Sequence, residues 1–267
     1  MFLVIDMGNT NGVFALFDDE RMTGGPWRLA TDGRRTVDEY AVWLQGVMSL
    51  KGNARLADLQ GVVLSNVVPA SQAALTGLAR AIGASLVDVE ALAGQLEIRV
   101  LVDRPEHVGA DRLANAVGAK VRHGGPAIII DFGTATTFDI VDADGNYTGG
   151  IIAPGPQRAV EALASAAARL PPVALERPDS VIGKATIPAM QSGVYWGYIG
   201  LVEGLVRRIR DEVGQPLKVI GTGGLATVFA RDTDVFDIMD PDLTLAGLAA
   251  IWRRHGPAAA AGAGAEA

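Results

Sequence analysis

Apolar residues along this chain come in two alternating rhythms. Short, continuously apolar runs such as Phe2–Ile5, Val62–Leu64 and Ala127–Ile130 have the character of strands covered on both faces. Between them, apolar positions recur every three or four residues, as amphipathic helices require. The pattern predicts strands at Met1–Ile5, Val13–Phe17 and Pro26–Ala30, then a helix over Thr36–Leu50. Thr36 and Glu39 carry the spacing of a capping box at its start. A strand over Gly61–Val68, a helix from Pro69 to Ile82, a strand at Ala84–Val89 and a helix over Ala110–His123 complete this half.

The pattern then restarts. Strands are predicted at Ala127–Ile130, Thr136–Asp142 and Tyr147–Ile152, followed by helices at Ala159–Arg169 and Ile187–Val213. A strand at Leu217–Ile220 runs into Gly-Thr-Gly-Gly, and short elements close the fold near Arg254. In each half an apolar strand ends in an aspartate, Asp6 and Asp131, 125 positions apart. Each aspartate is followed by one residue, a glycine, a polar turn and two further strands. Two halves built alike predict a duplicated α/β domain with mixed sheets and a cleft between the halves. The expected division is 1–115, 116–255 and a low-complexity tail, 256–267, that is expected to be disordered.

Composition narrows the setting. An apolar content of 49% with 20% charged residues suits a well-cored globular chain of 267 residues. The net charge of −7 and the lack of a Lys/Arg cluster argue against nucleic acid as a partner. With no cysteine there is neither a disulfide nor cysteine-ligated zinc, and a reducing compartment fits. Asp6 interrupts the first apolar run and no positive region precedes it, so no signal peptide is expected. No stretch reaches the roughly 18 apolar residues of a membrane span, so no membrane partner is expected. A cytoplasmic protein is the expectation.

The aspartate turns carry the candidate chemistry. Glycine lets backbone amides approach a ligand, and Asn9, Thr10, Asn11 and Thr134 add side-chain donors, so each loop can surround phosphate oxygens. A carboxylate beside a phosphate repels it unless a cation lies between, so Asp6 and Asp131 imply bound metal ions. Taken singly, either loop reads as a hairpin with an Asp-initiated turn; the pair, in matching positions, favours a polyphosphate clamp. The Gly-Thr-Gly-Gly turn at Gly221–Gly224 is either a plain strand-to-helix connection or a seat for adenosine. There is no GxxxxGK[ST] P-loop, and no GxGxxG follows the first strand. His107, His123 and His255 lack ligand spacing, and Arg207–Arg210 reads as a solvated helix face.

These motifs, taken in order, resemble a known family. Asp-x-Gly-Asn-Thr at Asp6–Thr10, Gly-Thr-Ala-Thr-Thr at Gly133–Thr137 and the late Gly-Thr-Gly-Gly are similar to the acetate kinase/sugar kinase/Hsc70/actin superfamily. More narrowly, "GADR" at Gly109–Arg112, "DFGTATTFD" at Asp131–Asp139, "MQSG" at Met190–Gly193 and "DPDLTL" at Asp240–Leu245 resemble type III pantothenate kinases. The resemblance runs from Met1 to about Arg254. It implies duplicated ribonuclease H-like (actin-like ATPase) domains with a nucleotide cleft between them. It also implies transfer of a phosphoryl group from ATP to pantothenate, the first step toward coenzyme A.

By the same resemblance, Asp6, Met7, Gly8, Asn9, Thr10, Asn11, Gly12 and Val13 form the loop around the ATP phosphates, with Asp6 orienting Mg²⁺. Thr134 matches a second nucleotide contact, and Asp131 the site of a monovalent cation, K⁺ or NH₄⁺. Asp111 matches the general base; the plain reading is an acidic residue favoured at a helix N-terminus. Gly109, Ala110, Asp111, Arg112 and Thr186 match the pantothenate site, where Arg112 is suited to hold the carboxylate. Departures from the family pattern at Val102, at Pro156-Gln157-Arg158-Ala159 and at Ala185 all lie toward the acceptor. The other function class is a nucleotide-binding regulator without turnover, which would have no need of a base; within the kinases, a related small alcohol is the other acceptor. Family members are dimers. An apolar and aromatic stripe through Met190, Val194, Tyr195, Tyr198, Leu201, Val202 and Leu205 has more area than one domain needs, which suggests a homodimer.

Overall fold

The computed structural model describes residues 1–51, 54–92, 94–166 and 173–257. The chain divides into two compact units, Met1–His123 with Leu243–Ala267, and Gly124–Asp242. The predicted tail from residue 258 onward, and the Arg169 end of the helix predicted from Ala159, lie outside the described residues.

The first unit contains strands β1 (Phe2–Met7), β2 (Asn11–Asp18) and β3 (Arg21–Ala30), helix α1 (Val37–Lys51), strand β4 (Gly61–Asn66), helix α2 (Gln72–Ala81), strand β5 (Ser85–Asp88) and helix α3 (Ala110–Arg122). The second contains β6 (Ala127–Phe132), β7 (Ala135–Val141), β8 (Tyr147–Pro154), α4 (Pro156–Ala166), α5 (Thr186–Val213), β9 (Lys218–Thr222), α6 (Ala226–Phe229) and β10 (Ile238–Met239). Helix α7 (Leu243–His255) belongs to the first unit.

Both units carry one plan. In the first sheet the order is β3-β2-β1-β4-β5, and in the second it is β8-β7-β6-β9-β10. The first three strands of each form an antiparallel meander, and the fourth and fifth add in parallel beside the first. Mixed sheets flanked by helices are therefore repeated twice, as the matching halves of the sequence predict.

Period two along a strand decides which residues meet which helix layer. In the first sheet Leu3, Ile5 and Met7 of β1, with Val62 and Leu64 of β4, pack into a core with Tyr40, Leu44, Leu75 and Leu78. The alternate residues turn to the other face, where Phe2 stacks on Trp252 of α7 at 5.2 Å. Asp6 and Ser65 share that second face. In the second sheet Ile128, Ile130 and Phe132 of β6 and Val219 of β9 pack with Tyr195, Tyr198 and Val202 of α5. Asp131 lies on the opposite face.

Three differences from the sequence pattern have physical causes. Strand β3 begins at Arg21, five residues before the predicted Pro26, because it is an edge strand that tolerates a bulge and a proline. Helix α4 begins at Pro156 rather than Ala159, since proline suits a first helical position where its missing N–H is not needed. The stripe on α5 is taken up inside its own unit: Met190, Val194, Tyr195, Tyr198 and Val202 are buried, and Leu201 and Leu205 pack against the same cluster. The surplus that suggested a partner is absent from that face. The capping box stands as expected, with Thr36 N–H donating to Glu39 Oε2 at 2.7 Å and Glu39 N–H to Thr36 Oγ1 at 3.3 Å. Among the described residues no helix is long and apolar enough to cross a membrane.

Helices α3 and α7 cross through glycines. A Cβ on Gly247 would stand 1.8 Å from the Ala114 carbonyl oxygen, and one on Gly118 2.5 Å from that of Leu243. Gly247→Ala should therefore lower unfolding stability by about 1–3 kcal/mol, read from urea denaturation. Gly46→Ala, on α1 with open space around it, should leave stability unchanged or raise it by up to about 1 kcal/mol. Equal effects of the two changes would refute the close crossing.

Candidate active site

Each sheet presents an aspartate near the carboxyl end of its central strand. Asp6 pairs with Val13 across the antiparallel ladder and stands opposite Ser65 in the parallel one. Asp131 pairs with Thr137 and stands opposite Thr222, the corresponding places in the second sheet. Both aspartates are half-buried. In open α/β sheets the carboxyl ends of parallel strands are where ligands bind.

In the first unit the strands run further than expected, β1 to Met7 and β2 from Asn11, with Met7 opposite Gly12, which leaves Gly8, Asn9 and Thr10 as the turn. Gly8 N–H donates to the Asn11 carbonyl at 3.2 Å, and Asn9, Thr10 and Asn11 are exposed. Met7 turns its side chain into the core and lies beneath Gly12, where a Cβ would meet its sulfur at 2.9 Å. Val13 is half-buried within β2. The turn is tied down from β3's end: Thr31 Oγ1 donates to the Gly8 carbonyl at 2.6 Å and Thr31 N–H to that of Thr10 at 3.0 Å. Ser65 Oγ donates to Asp6 Oδ1 at 2.9 Å.

The "GADR" segment arrives at the same sheet end. Val67, the residue after β4, donates its N–H to the Met7 carbonyl at 3.1 Å. A Cβ on Gly109 would lie 3.6 Å from Val67 Cγ1 and 2.5 Å from Asp111 Oδ1. Glycine at 109 thus lets the Asp111 carboxylate fold back over the start of α3, where Oδ1 accepts the Arg112 N–H at 2.8 Å. Ala110 is buried and Arg112 half-buried. Burial pushes the Asp111 carboxyl above the usual range, against the backbone bond and the positive charge of Arg112.

In the second unit Gly133 and Thr134 make the turn after Asp131, with Gly133 N–H bonded to the Ala135 carbonyl at 3.0 Å. Gly155, from the "APG" segment, backs this turn: its N–H reaches the Thr134 carbonyl at 3.1 Å, and a Cβ there would stand 2.4 Å from the same oxygen. Gly223, at φ +88°, leaves room for Asp131, whose Oδ1 would lie 2.4 Å from a Cβ. The third glycine turn is thereby brought against the second aspartate.

Thr186 opens α5 and is exposed, and no hydrogen bond joins it to the other candidates. The loop before it is fastened within the unit. Arg177 donates to both Asp232 oxygens, from Nε to Oδ1 at 3.0 Å and Oδ2 at 2.8 Å and from Nη2 to Oδ1 at 2.9 Å, and Ser192 Oγ donates to the Val181 carbonyl. Of the departures, Val102 is half-buried, Pro156–Arg158 form the first turn of α4 and Ala185 caps α5.

Sequence reasoning missed Ser65, Thr31 and the contact of Gly223 with Asp131. The first had a legible signal, a hydroxyl near the end of a buried strand. The others depend on strand register, which the sequence does not print.

A family model described as type III pantothenate kinase matches residues 2–208. This chain belongs to the type III pantothenate kinase family. A type III pantothenate kinase from Paramagnetospirillum magneticum is 51% identical over 263 residues, covering 96% of this chain and 98% of that protein. Two solved structures share the fold. A conserved candidate Baf-family transcriptional activator from Campylobacter jejuni superposes with a TM-score of 0.59 at 20% identity, over 95% of this chain and 98% of the other. The activator of the 2-hydroxyisocaproyl-CoA dehydratase from Clostridium difficile, with bound ADPNP, does so with a TM-score of 0.52 at 14% identity, over 94% and 93%. The fold is that of actin-like ATPases and sugar kinases.

The raised Asp111 pKa has a consequence for stability. The folded chain holds that proton more tightly than the unfolded one, so Asp111 favours folding at low pH and loses this as pH rises through its raised pKa. Asp111→Asn cannot ionise and should be more stable than the parent at pH 8. The advantage should vanish below the ordinary Asp pKa of about 3.9. Denaturant titrations at pH 8 and pH 3.5 check this; a mutant no more stable at pH 8 would refute burial as the dominant cause.

Proposed function

We infer that this chain transfers the γ-phosphoryl group of ATP to the hydroxyl of pantothenate, giving 4'-phosphopantothenate at the start of coenzyme A synthesis. The observation that carries the site assignment is the shared sheet end of Asp6 and Asp111, with Asp131 at the corresponding place of the second sheet. Phosphoryl transfer needs positioning, neutralisation of charge and an acceptor for the alcohol's proton.

In this reading the Asp6–Val13 segment lines the ATP phosphates, with Gly8–Asn11 as the turn that approaches them, and Thr134 is a further nucleotide contact. The Asp6 carboxylate, beside the Ser65 hydroxyl, is an oxygen donor set that fits Mg²⁺. Among the described residues no cluster of three or more metal-ligating side chains occurs, which suits a metal held by one carboxylate and the nucleotide's own phosphates. Asp131 would hold the monovalent cation, K⁺ or NH₄⁺. These cations supply neutralisation of phosphate charge when bound.

Asp111 accepts the proton from the pantothenate hydroxyl as its oxygen bonds to phosphorus and ADP departs. A carboxylate whose burial raises its proton affinity is better matched to that task than an ordinary one. Arg112 pairs with the pantothenate carboxylate, and Gly109, Ala110 and Thr186 complete the acceptor site. A regulator without turnover would have no use for a carboxylate held in this way. The setting in this reading is the cytoplasm, where ATP is supplied.

The working unit in this reading is a homodimer. Family resemblance supports it, and so does the outer face of α5, where Gly193, Gly197 and Gly200 open onto free space that a second backbone can approach closely.

Asp111→Asn should cut turnover on the order of 10²–10⁴-fold while ATP affinity stays nearly unchanged. Steady-state kinetics with nucleotide calorimetry checks this, and near-normal turnover would remove Asp111 as the base. Mixing Asp111→Asn protein with a Thr186→Ala protein should restore part of the activity if sites are completed across a dimer. No recovery after verified subunit exchange would count against the shared site.

A further inference from the structure

Asp6 and Asp131 occupy corresponding places, yet the hydroxyls beside them differ in one respect. Ser65, opposite Asp6 in the parallel ladder, is bonded to it at 2.9 Å. Thr222 stands opposite Asp131 at the same register, is 1% exposed, and its Oγ1 has no hydrogen-bond partner among the described residues. Its direction follows from the strand period. Val219 joins the core beneath α5, so Thr222, three positions on, turns to the face that Asp131 occupies.

A buried hydroxyl without a partner is costly, and native structures keep few of them. Here it lies beside a carboxylate in a space the backbone has cleared: Gly223, at φ +88°, brings its Cα against Asp131 Oδ1. One carboxylate and one neutral hydroxyl form an oxygen donor set of low total charge. Hard cations take oxygen ligands, and with Asp131 read as the monovalent-cation site this pair supplies two of them. We propose that Thr222 Oγ1 is a second protein ligand of the monovalent cation, sharing it with the Asp131 carboxylate. The hydroxyl lends a lone pair to the ion, and its proton remains free to donate to an oxygen nearby. This inference rests on the reading of Asp131 as the cation site.

The test compares the parent protein with Thr222→Val, Thr222→Ser and Asp131→Asn. Melting temperature without nucleotide, and ADPNP affinity by calorimetry, are measured in KCl and in choline chloride of equal ionic strength. Valine has threonine's shape without the hydroxyl, so Thr222→Val should fold at least as well as the parent in choline. The gain in ADPNP affinity that K⁺ gives the parent should fall about tenfold in Thr222→Val, a change of about 1.4 kcal/mol, and the K⁺-dependent rise in melting temperature should shrink with it. Thr222→Ser should keep both. A Thr222→Val protein with the parent's full K⁺ response, beside an Asp131→Asn protein that has lost it, overturns the role of Thr222 alone. An Asp131→Asn protein that keeps the response overturns the reading of Asp131 itself. Equal loss of ADPNP affinity in both salts would make the hydroxyl a phosphate contact and also overturn the proposal.

Discussion

A carboxylate at the end of a strand that is otherwise buried on both faces is the constraint on which this structure turns. Residues Phe2–Ile5 and Ala127–Ile130 are fully enclosed, so neither strand can continue as a charged segment without reaching water or a partner. The sheet solves this the same way twice. The strand stops within one residue of its aspartate, a glycine turn follows, and a hydroxyl from the parallel neighbour is set beside the carboxylate. In each unit the other candidate residues gather around that end. Helix α3 brings Asp111 to the first, and the Gly223 turn closes on the second.

Glycine is the means of approach in both units, and for different reasons. At Gly223 the positive φ and the nearness of Asp131 act together, so a side chain is excluded by conformation and by space. At Gly109 the backbone is ordinary, with φ −58°, and only the return of the Asp111 carboxylate excludes a side chain. At Gly247 and Gly61 the purpose is packing: a Cβ on Gly61 would fall 1.6 Å from the Trp252 ring. The first two glycines make room for carboxylates, and the last two hold the helix layer that carries Asp111.

Much of this was legible in the sequence, because it is local. The apolar runs, the repeated Asp-x-Gly turns and the Thr36–Glu39 cap depend on residues a few positions apart, and the structure reproduces them. What the sequence hid is set by partners far along the chain. Ser65 and Thr222 matter only through a parallel register, and a one-residue slip would have turned them to the other face. The start of β3 at Arg21 depends on its being an edge strand, which its own residues do not state. The stripe on α5 looked like surplus area because the depth of the core beneath it, with Phe132, Phe138 and Phe229, cannot be read from one helix.

The return of α7 to the first unit has a further meaning for how the chain is made. Its Trp252 is stacked on Phe2 and seated on Gly61, and its glycine crossing braces α3. A ribosome delivers the whole of Gly124–Asp242 before it delivers α7. The second unit is contiguous, whereas the first lacks the ring that stacks on Phe2 and the helix that braces α3 until α7 is synthesised. The N-terminal half, first out, is the last to be finished.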